Sequence, residues 1–105
     1  MMKTLEDVRQ RSARFARERG YESLQTPKNL AMALNVEAAE LLEHFQWLSP
    51  EQSLALNDDT RDAVADEIAD VMLYLVRLAD VLDIDILEAV SSKAEKNELK
   101  YPLPG

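Results

Sequence analysis

Four carboxylates stand in two pairs of equal spacing, Glu37-Ala38-Ala39-Glu40 and Glu67-Ile68-Ala69-Asp70. A separation of three puts the members of each pair one turn apart on a helix. Acids so placed can hold a hard divalent cation or exchange protons with a bound substrate. On a solvated helix face they would do neither, so the face they occupy decides the matter.

At about 100° per residue, with Glu37 at zero, Leu30, Leu34, Leu41 and Phe45 fall between about +20° and +80°. Glu37 therefore borders the apolar stripe of its helix, and Glu40, at about −60°, lies on the flank of the same face. With Glu67 at zero, Val64, Val71, Leu75 and Leu78 fall in the same +20° to +80° interval, roughly, and Asp70 again at about −60°. Two helices of one chain thus carry the same acid pair in the same register against the same kind of stripe. Desolvating a carboxylate costs several kcal/mol, and clustering like charges adds to that. Protons, a Lys or Arg partner, or a bound cation must offset it. The acid faces offer no basic residue, since Lys28 lies at the far end of its helix and Arg77 to one side. A cation is the economical reading. Oxygen donors, in a chain without cysteine, point to Mg²⁺ or Mn²⁺ rather than Zn²⁺. The single histidine, His44, follows Glu40 by one turn, but a diiron-type bundle needs Glu-x-x-His on two helices. A packed or supporting role fits His44 better.

The elements that must position these acids read as helices throughout. Glycine is scarce and no segment alternates apolar and polar residues. Thr4 caps a first helix over residues 5–19 that Gly20 ends, and Thr26-Pro27 opens a second that runs to about Phe45. Ser49-Pro50-Glu51-Gln52 has the spacing of a capping box on a short turn. Asn57-Asp58-Asp59-Thr60 is a polar break before a third long helix over residues 61–82. Asp83 or Asp85 starts a fourth, running to about Lys100, and the proline-rich residues 101–105 are not helical. The expectation is one all-α domain over residues 1–105, a four-helix bundle. A net charge of −8 over 105 residues argues against a nucleic-acid polymer as partner. No run is long and apolar enough for a signal peptide or a membrane span, so a cytoplasmic protein without a membrane partner is expected. A domain this small has limited core, which favours a homo-oligomer.

Around the acids, further stretches complete an ordered pattern: Thr26-Pro27-Lys28-Asn29-Leu30, Phe45-Gln46-Trp47, Asp70-Val71-Met72-Leu73-Tyr74-Leu75, and Ser92-Lys93 through Asn97 to Tyr101-Pro102. From about Phe15 onward the chain resembles the MazG-like nucleotide pyrophosphohydrolases, in particular their short dCTP pyrophosphatase-type members. Those proteins are marked by Glu-x-x-Glu, a spacer, and Glu-x-x-Asp. The resemblance implies an all-helical enzyme that uses Mg²⁺ to split nucleoside triphosphates into monophosphate and pyrophosphate. It also implies a homo-oligomer, a tetramer of paired dimers or a dimer, with sites lined by more than one subunit. Lys93, Asn97 and Lys100 match positions that face phosphates, although lysines near a helix C-terminus also suit an ordinary solvated end. Trp47, Tyr21 and Phe15 are the aromatics available to stack on a base, or simply to pack. Tyr74, one turn beyond Asp70, is placed to order a ligand or a phosphate. The dCTP-type enzymes carry histidines where Ser12 and Gln25 stand here, which leaves the metal acids intact and the base preference open.

The function expected is metal-dependent pyrophosphohydrolysis of (deoxy)nucleoside triphosphates, with a role in cleansing the nucleotide pool. Glu37, Glu40, Glu67 and Asp70 are expected to bind metal, one of them, with Glu40 the candidate, serving as general base. Two other readings are a non-catalytic acidic interaction module and a phosphohydrolase acting on another phosphorylated metabolite.

Overall fold

A computed structural model describes residues 1–105 and contains helices and connecting turns only. The order is α1 (Leu5–Glu18), α2 (Pro27–Glu43), the single turn α3 (Pro50–Ser53), α4 (Asp58–Val81) and α5 (Ile86–Lys100). Each begins where a short polar side chain can accept a backbone N–H that the helix leaves unpaired. Thr4, Thr26, Ser49, Asn57 and Asp85 fill this role for α1 to α5 in turn. The capping box at Ser49–Gln52 forms as its spacing predicts, and a second one forms between Thr4 and Asp7.

Two long helices end in the same device. Gly20, at φ 67°, donates its N–H to Arg17 O (3.2 Å), and Tyr21 donates to Ala16 O (2.8 Å). Asp83, at φ 57°, donates to Asp80 O (3.0 Å), and Ile84 to Ala79 O (2.8 Å). A left-handed residue after the helix turns the chain back so that the next two N–H groups close on the final carbonyls. Glycine adopts that conformation without strain. Aspartate is one of the few other residues to visit it.

The expected boundaries shift in two places. The helix predicted from residue 61 starts at Asp58, because Asn57 alone is the cap (its side chain accepts from Thr60 N) and Asp58 and Asp59 fill the acidic first turn. The helix expected to reach Phe45 ends at Glu43, with His44 as its C-cap and turns through Leu48.

Helix α4 is the spine, with α2 packed along one side and α1 along another. Its Val64 and Val76 are buried together with Leu30 of α2 and Ala16 of α1. The expected four-helix bundle is, within one chain, three packed helices. No helix packs along α5, and its Leu87 (62% exposed), Val90 (58%) and Leu99 (85%) face outward. Leu75, expected in the stripe that faces the core, is 42% exposed. The radius of gyration is 16.7 Å, against about 13 Å for a compact domain of this length. The accessible surface is 8421 Å², whereas a compact monomer of similar mass exposes about 6,000 Å². No helix is long and apolar enough to cross a membrane.

Candidate metal centre

The register match between the two acid pairs becomes a contact when α2 packs on α4. Glu37 comes from the middle of α2, Glu67 and Asp70 from the middle of α4, and carboxylate oxygens from all three lie within 4.8 Å of one another. Glu37 and Glu67 are half-buried, and one oxygen of each, Oε2 in both cases, is fully buried without a hydrogen-bond donor. The chain's ion pairs, among them Arg9–Asp80 and Arg77–Asp80, include none of these acids. Burial pushes the Glu37 carboxyl up to about 7, with the neighbouring Glu67 and Glu40 carboxyls and the charge on Asp70 adding to the effect. With no basic group present, the hydrogen bond open to these carboxyls is a proton shared between two of them. A cation would satisfy the same oxygens without that proton. The donor set, carboxylate oxygen throughout, fits a hard ion of the Mg²⁺ or Mn²⁺ type.

Glu40 stands one turn further along α2. It lies outside the triangle of convergent oxygens but close enough to act on Glu37. His44 belongs to no group of metal-capable side chains.

Beside the acids, α1, α4 and the loop between α1 and α2 line a half-open cavity of about 530 Å³. Asp70, one of the three clustered acids, lines it together with Tyr74, and Phe15 and Tyr21 supply aromatic surface. The helix end at Gly20 carries Tyr21 back toward Phe15, with ring centroids 6.3 Å apart and planes at 57°. The Arg19 guanidinium covers Phe15, 3.7 Å from the ring centroid. Three expected aromatics, Phe15, Tyr21 and Tyr74, thus meet at one cavity next to Asp70. Trp47 does not join them. It lies in the turns after α2, 86% exposed. Lys93, Asn97 and Lys100 are exposed along α5, and Lys100 reaches only the ring of Tyr101, with Nζ 5.4 Å from its centroid.

The sequence reading put Arg77 to one side of the acid face; the structure corrects this, since Arg77 lines the cavity together with Asp70. On the wheel with Glu67 at zero, Asp70, Tyr74 and Arg77 fall at about −60°, −20° and −80°. The spacing i, i+4, i+7 was therefore a legible stripe, flanking the apolar one. Arg77 is nearly buried. Its Nε donates to Gln25 Oε1 (2.6 Å) and its Nη1 to Asp80 Oδ2 (3.0 Å), while Arg9 of α1 reaches the other oxygen of Asp80 (3.2 Å).

The model of the MazG-like family matches residues 32–105, a span that holds both acid pairs and all of α4 and α5. The chain belongs to the MazG-like family. Among curated proteins, this MazG-like chain is 42% identical over 102 residues to dCTP pyrophosphatase 1 of Rattus norvegicus, covering 95% of this chain and 60% of that protein. It is 41% identical over 101 residues to the dCTP pyrophosphatase 1 of Homo sapiens, covering 94% and 59%. The chain thus spans about three-fifths of the length of these relatives. The crystal structure of a pyrophosphatase from Archaeoglobus fulgidus superposes with a TM-score of 0.89 at 42% identity, covering 97% of this chain and 95% of that one. The fold shared with that pyrophosphatase thus takes in nearly all of the chain, the outstretched α5 with it.

Proposed function

We propose that this MazG-like chain is a nucleoside triphosphate pyrophosphohydrolase that cleaves (deoxy)nucleoside triphosphates to monophosphate and pyrophosphate with the help of Mg²⁺ or Mn²⁺. The observation that carries the reading is the triangle of Glu37, Glu67 and Asp70 around two buried carboxylate oxygens that no donor satisfies. Similarity to dCTP pyrophosphatases and to a pyrophosphatase of the same fold supports it.

In this reading Glu37, Glu67 and Asp70 hold the ion, with Glu40 as a further ligand or as the base that takes a proton from the attacking water. The ion, when bound, neutralises triphosphate charge, polarises a phosphoryl oxygen and acidifies a water molecule. Everything else falls to the chain's own side chains. Phe15 and Tyr21 hold the base beside Asp70, which brings the α phosphate, the one nearest the sugar, toward the acids. Tyr74, between cavity and acids, orients the sugar or the α phosphate. Lys93, Asn97 and Lys100 receive the β and γ phosphates that leave together. No glycine-rich phosphate cradle of the kind that presents a γ phosphate is found in the sequence.

The lysines of α5 and Trp47 are exposed and do not line the cavity beside the acids of their own chain. We therefore assign them to the site of a neighbouring copy in a homo-oligomer, a dimer or a tetramer of paired dimers. The excess surface and the unpartnered apolar face of α5 support that assignment. Cleansing of the cytoplasmic nucleotide pool is the corresponding biological role, and the chain acts as one domain over residues 1–105, without nucleic-acid polymer or membrane as partner.

Hydrolysis of a panel of nucleoside triphosphates in ¹⁸O-labelled water tests the reaction. Label in the monophosphate alone, with pyrophosphate as coproduct and dependence on added Mg²⁺, is the expected result. Orthophosphate and a nucleoside diphosphate as first products, or turnover unaffected by removal of divalent ions, would overturn it.

A further inference from the structure

The cavity beside the acids is lined by charges of opposite sign at its two ends. Arg9 of α1 reaches Asp80 near the end of α4, while Phe15, later in α1, and Asp70, earlier in α4, line the same cavity. The two helices therefore run in opposite directions. Arg11 lies close after Arg9 and Arg77 close before Asp80, so both line the end away from Asp70. Along α4 the rise from Asp70 to Arg77 is about 10 Å. Arg11 sits on the stripe of α1 that faces the cavity, at helical spacing from Val8, Ser12 and Phe15. Arg9, Arg14 and Arg19 of α1 and its end pair with carboxylates. Arg11 and Arg17 pair with none, and of these two only Arg11 lines the cavity. Arg77, on the opposite wall, is 9% exposed and gives its Nε to Gln25 and its Nη1 to Asp80. Its Nη2 donates to no protein atom. Glu6, Arg9, Asp80 and Arg77 form a run of alternating charge that sums to zero, so the uncompensated charge at this end is that of Arg11. The chain as a whole carries −8, yet none of its carboxylates comes to this guanidinium.

We infer that Arg11, with the free Nη2 of Arg77 across the cavity, is an anion-recognising residue, and that this chain acts on nucleoside triphosphates whose base carries a carboxylate. The inference rests on the proposed nucleotide substrate and concerns the edge of the base farthest from the phosphates. With the α phosphate drawn to the acids at the Asp70 end, a nucleoside extended along the cavity brings that edge to the arginine end. An unmodified base is neutral there and leaves Arg11 to water. A base oxidised to a ring carboxylate offers two coplanar oxygens, the shape that a guanidinium fork binds through two parallel N–H···O bonds. Arg77 Nη2 supplies a further donor, and Asp80 and Gln25 fix its direction. Such charge-assisted bonds are roughly twice as strong as neutral ones, so an anionic substituent gains more at this end than a neutral group of equal size.

The test compares 5-carboxy-dCTP with 5-formyl-dCTP, which is of similar size but uncharged, for wild type, Arg11→Gln and Arg14→Gln. Turnover is read alongside calorimetric binding of the α,β-imido analogues of both nucleotides with Mg²⁺. Wild type should favour the carboxylate by at least about 10-fold in kcat/KM and in analogue affinity. The preference should reside in KM more than in kcat, because the base is remote from the reacting phosphorus. Arg11→Gln, which keeps a donor but no charge, should abolish most of the preference. Arg14→Gln removes the same charge from the same helix outside the cavity and should preserve it, which separates contact from long-range attraction. Absence of a preference for the carboxylate in wild type, or equal carboxy-to-formyl ratios in wild type and Arg11→Gln, with turnover intact, would overturn the inference and leave the pyrophosphohydrolase reading standing. An equal loss in Arg11→Gln and Arg14→Gln would also overturn it, since the charge would then act at a distance. Binding of the carboxylated analogue that depends on Arg11, without turnover of either nucleotide, would uphold the inference and defeat the pyrophosphohydrolase reading. Failure to bind either analogue would defeat both.

Discussion

The acid-bearing helices and the last helix of this chain solve opposite problems. Where α2 meets α4, the interface is closed within one chain: Leu30 and Val64 are buried, and three carboxylates converge without a donor between them. Along α5 the apolar side chains are open and the lysines form no ion pair. The first region concentrates like charge that a shared proton or a bound cation can relieve. The second leaves apolar surface exposed to solvent. In the proposed homo-oligomer, one chain supplies the acids of the site and a second copy supplies its α5 lysines.

The largest expected effect falls on the closed region. Glu37→Gln or Asp70→Asn should lower Mg²⁺-dependent turnover by at least about 100-fold while leaving the helical circular dichroism unchanged, and chelation should do the same to wild type. Near wild-type activity in either variant would remove the acids from the mechanism. Next comes the open region. Light scattering should give a particle heavier than the 11.9 kDa single chain. A Leu87→Asp, Val90→Asp double variant should dissociate it and lose most activity, because the α5 side chains then no longer reach a neighbour's acids. A dissociated variant with full activity would show that α5 serves its own chain or none.

A smaller effect concerns protons. Glu37 is pushed up to about 7 in the folded chain, above its ordinary unfolded value of about 4.3. Between those two values the folded state binds the extra proton, so metal-free stability falls as pH rises through that interval and is flat above it. The thermal midpoint of the chelated protein should therefore be higher at pH 5 than at pH 8. Glu37→Gln should flatten the dependence, and Mg²⁺ should raise the midpoint most at pH 8. A chelated midpoint that rises with pH across this range would show that the acids are not crowded in solution. The smallest effect is local. Thr26→Ala removes the α2 N-cap, whose hydroxyl accepts from Asn29 N at 3.2 Å, and should cost about 1 kcal/mol by denaturant titration with little change in turnover. A much larger cost would mean that α2 depends on its first turn for holding Glu37 in place.

How far these regions were legible in the sequence follows from the range of the interactions involved. Helix starts were readable because a cap is a relation between residues three apart, as at Thr26 and Ser49. The convergence of Glu37 with Glu67 and Asp70 was readable because two matching registers, once the apolar stripes pack, bring the acids together. The direction of α5 was not. It depends on Asp83 adopting a left-handed conformation and on the absence of any helix to receive Leu87 and Val90, and neither is encoded in local spacing. Arg77 was set aside for a related reason. Its place on the stripe with Asp70 and Tyr74 was legible, but its hydrogen bond to Gln25, 52 positions away, was not, because loop geometry is not described by periodicity. Trp47 and the aromatics of α1 were grouped in the sequence as candidates for one base, but the fold gives Phe15 and Tyr21 a shared cavity and leaves Trp47 exposed outside it.

The outstretched α5 also divides the folding of the chain in time. Contacts of α1, α2 and α4 connect segments of one polymer and can form at rates that do not depend on how many chains are present. In the proposed homo-oligomer, the apolar face of α5 finds cover only by collision between chains. Refolding should therefore show a fast phase indifferent to protein concentration, followed by a slower one that accelerates with it. In the interval the molecule carries its metal acids already gathered and its hydrophobic arm still bare, the stage at which self-association in the wrong register competes with assembly in the right one.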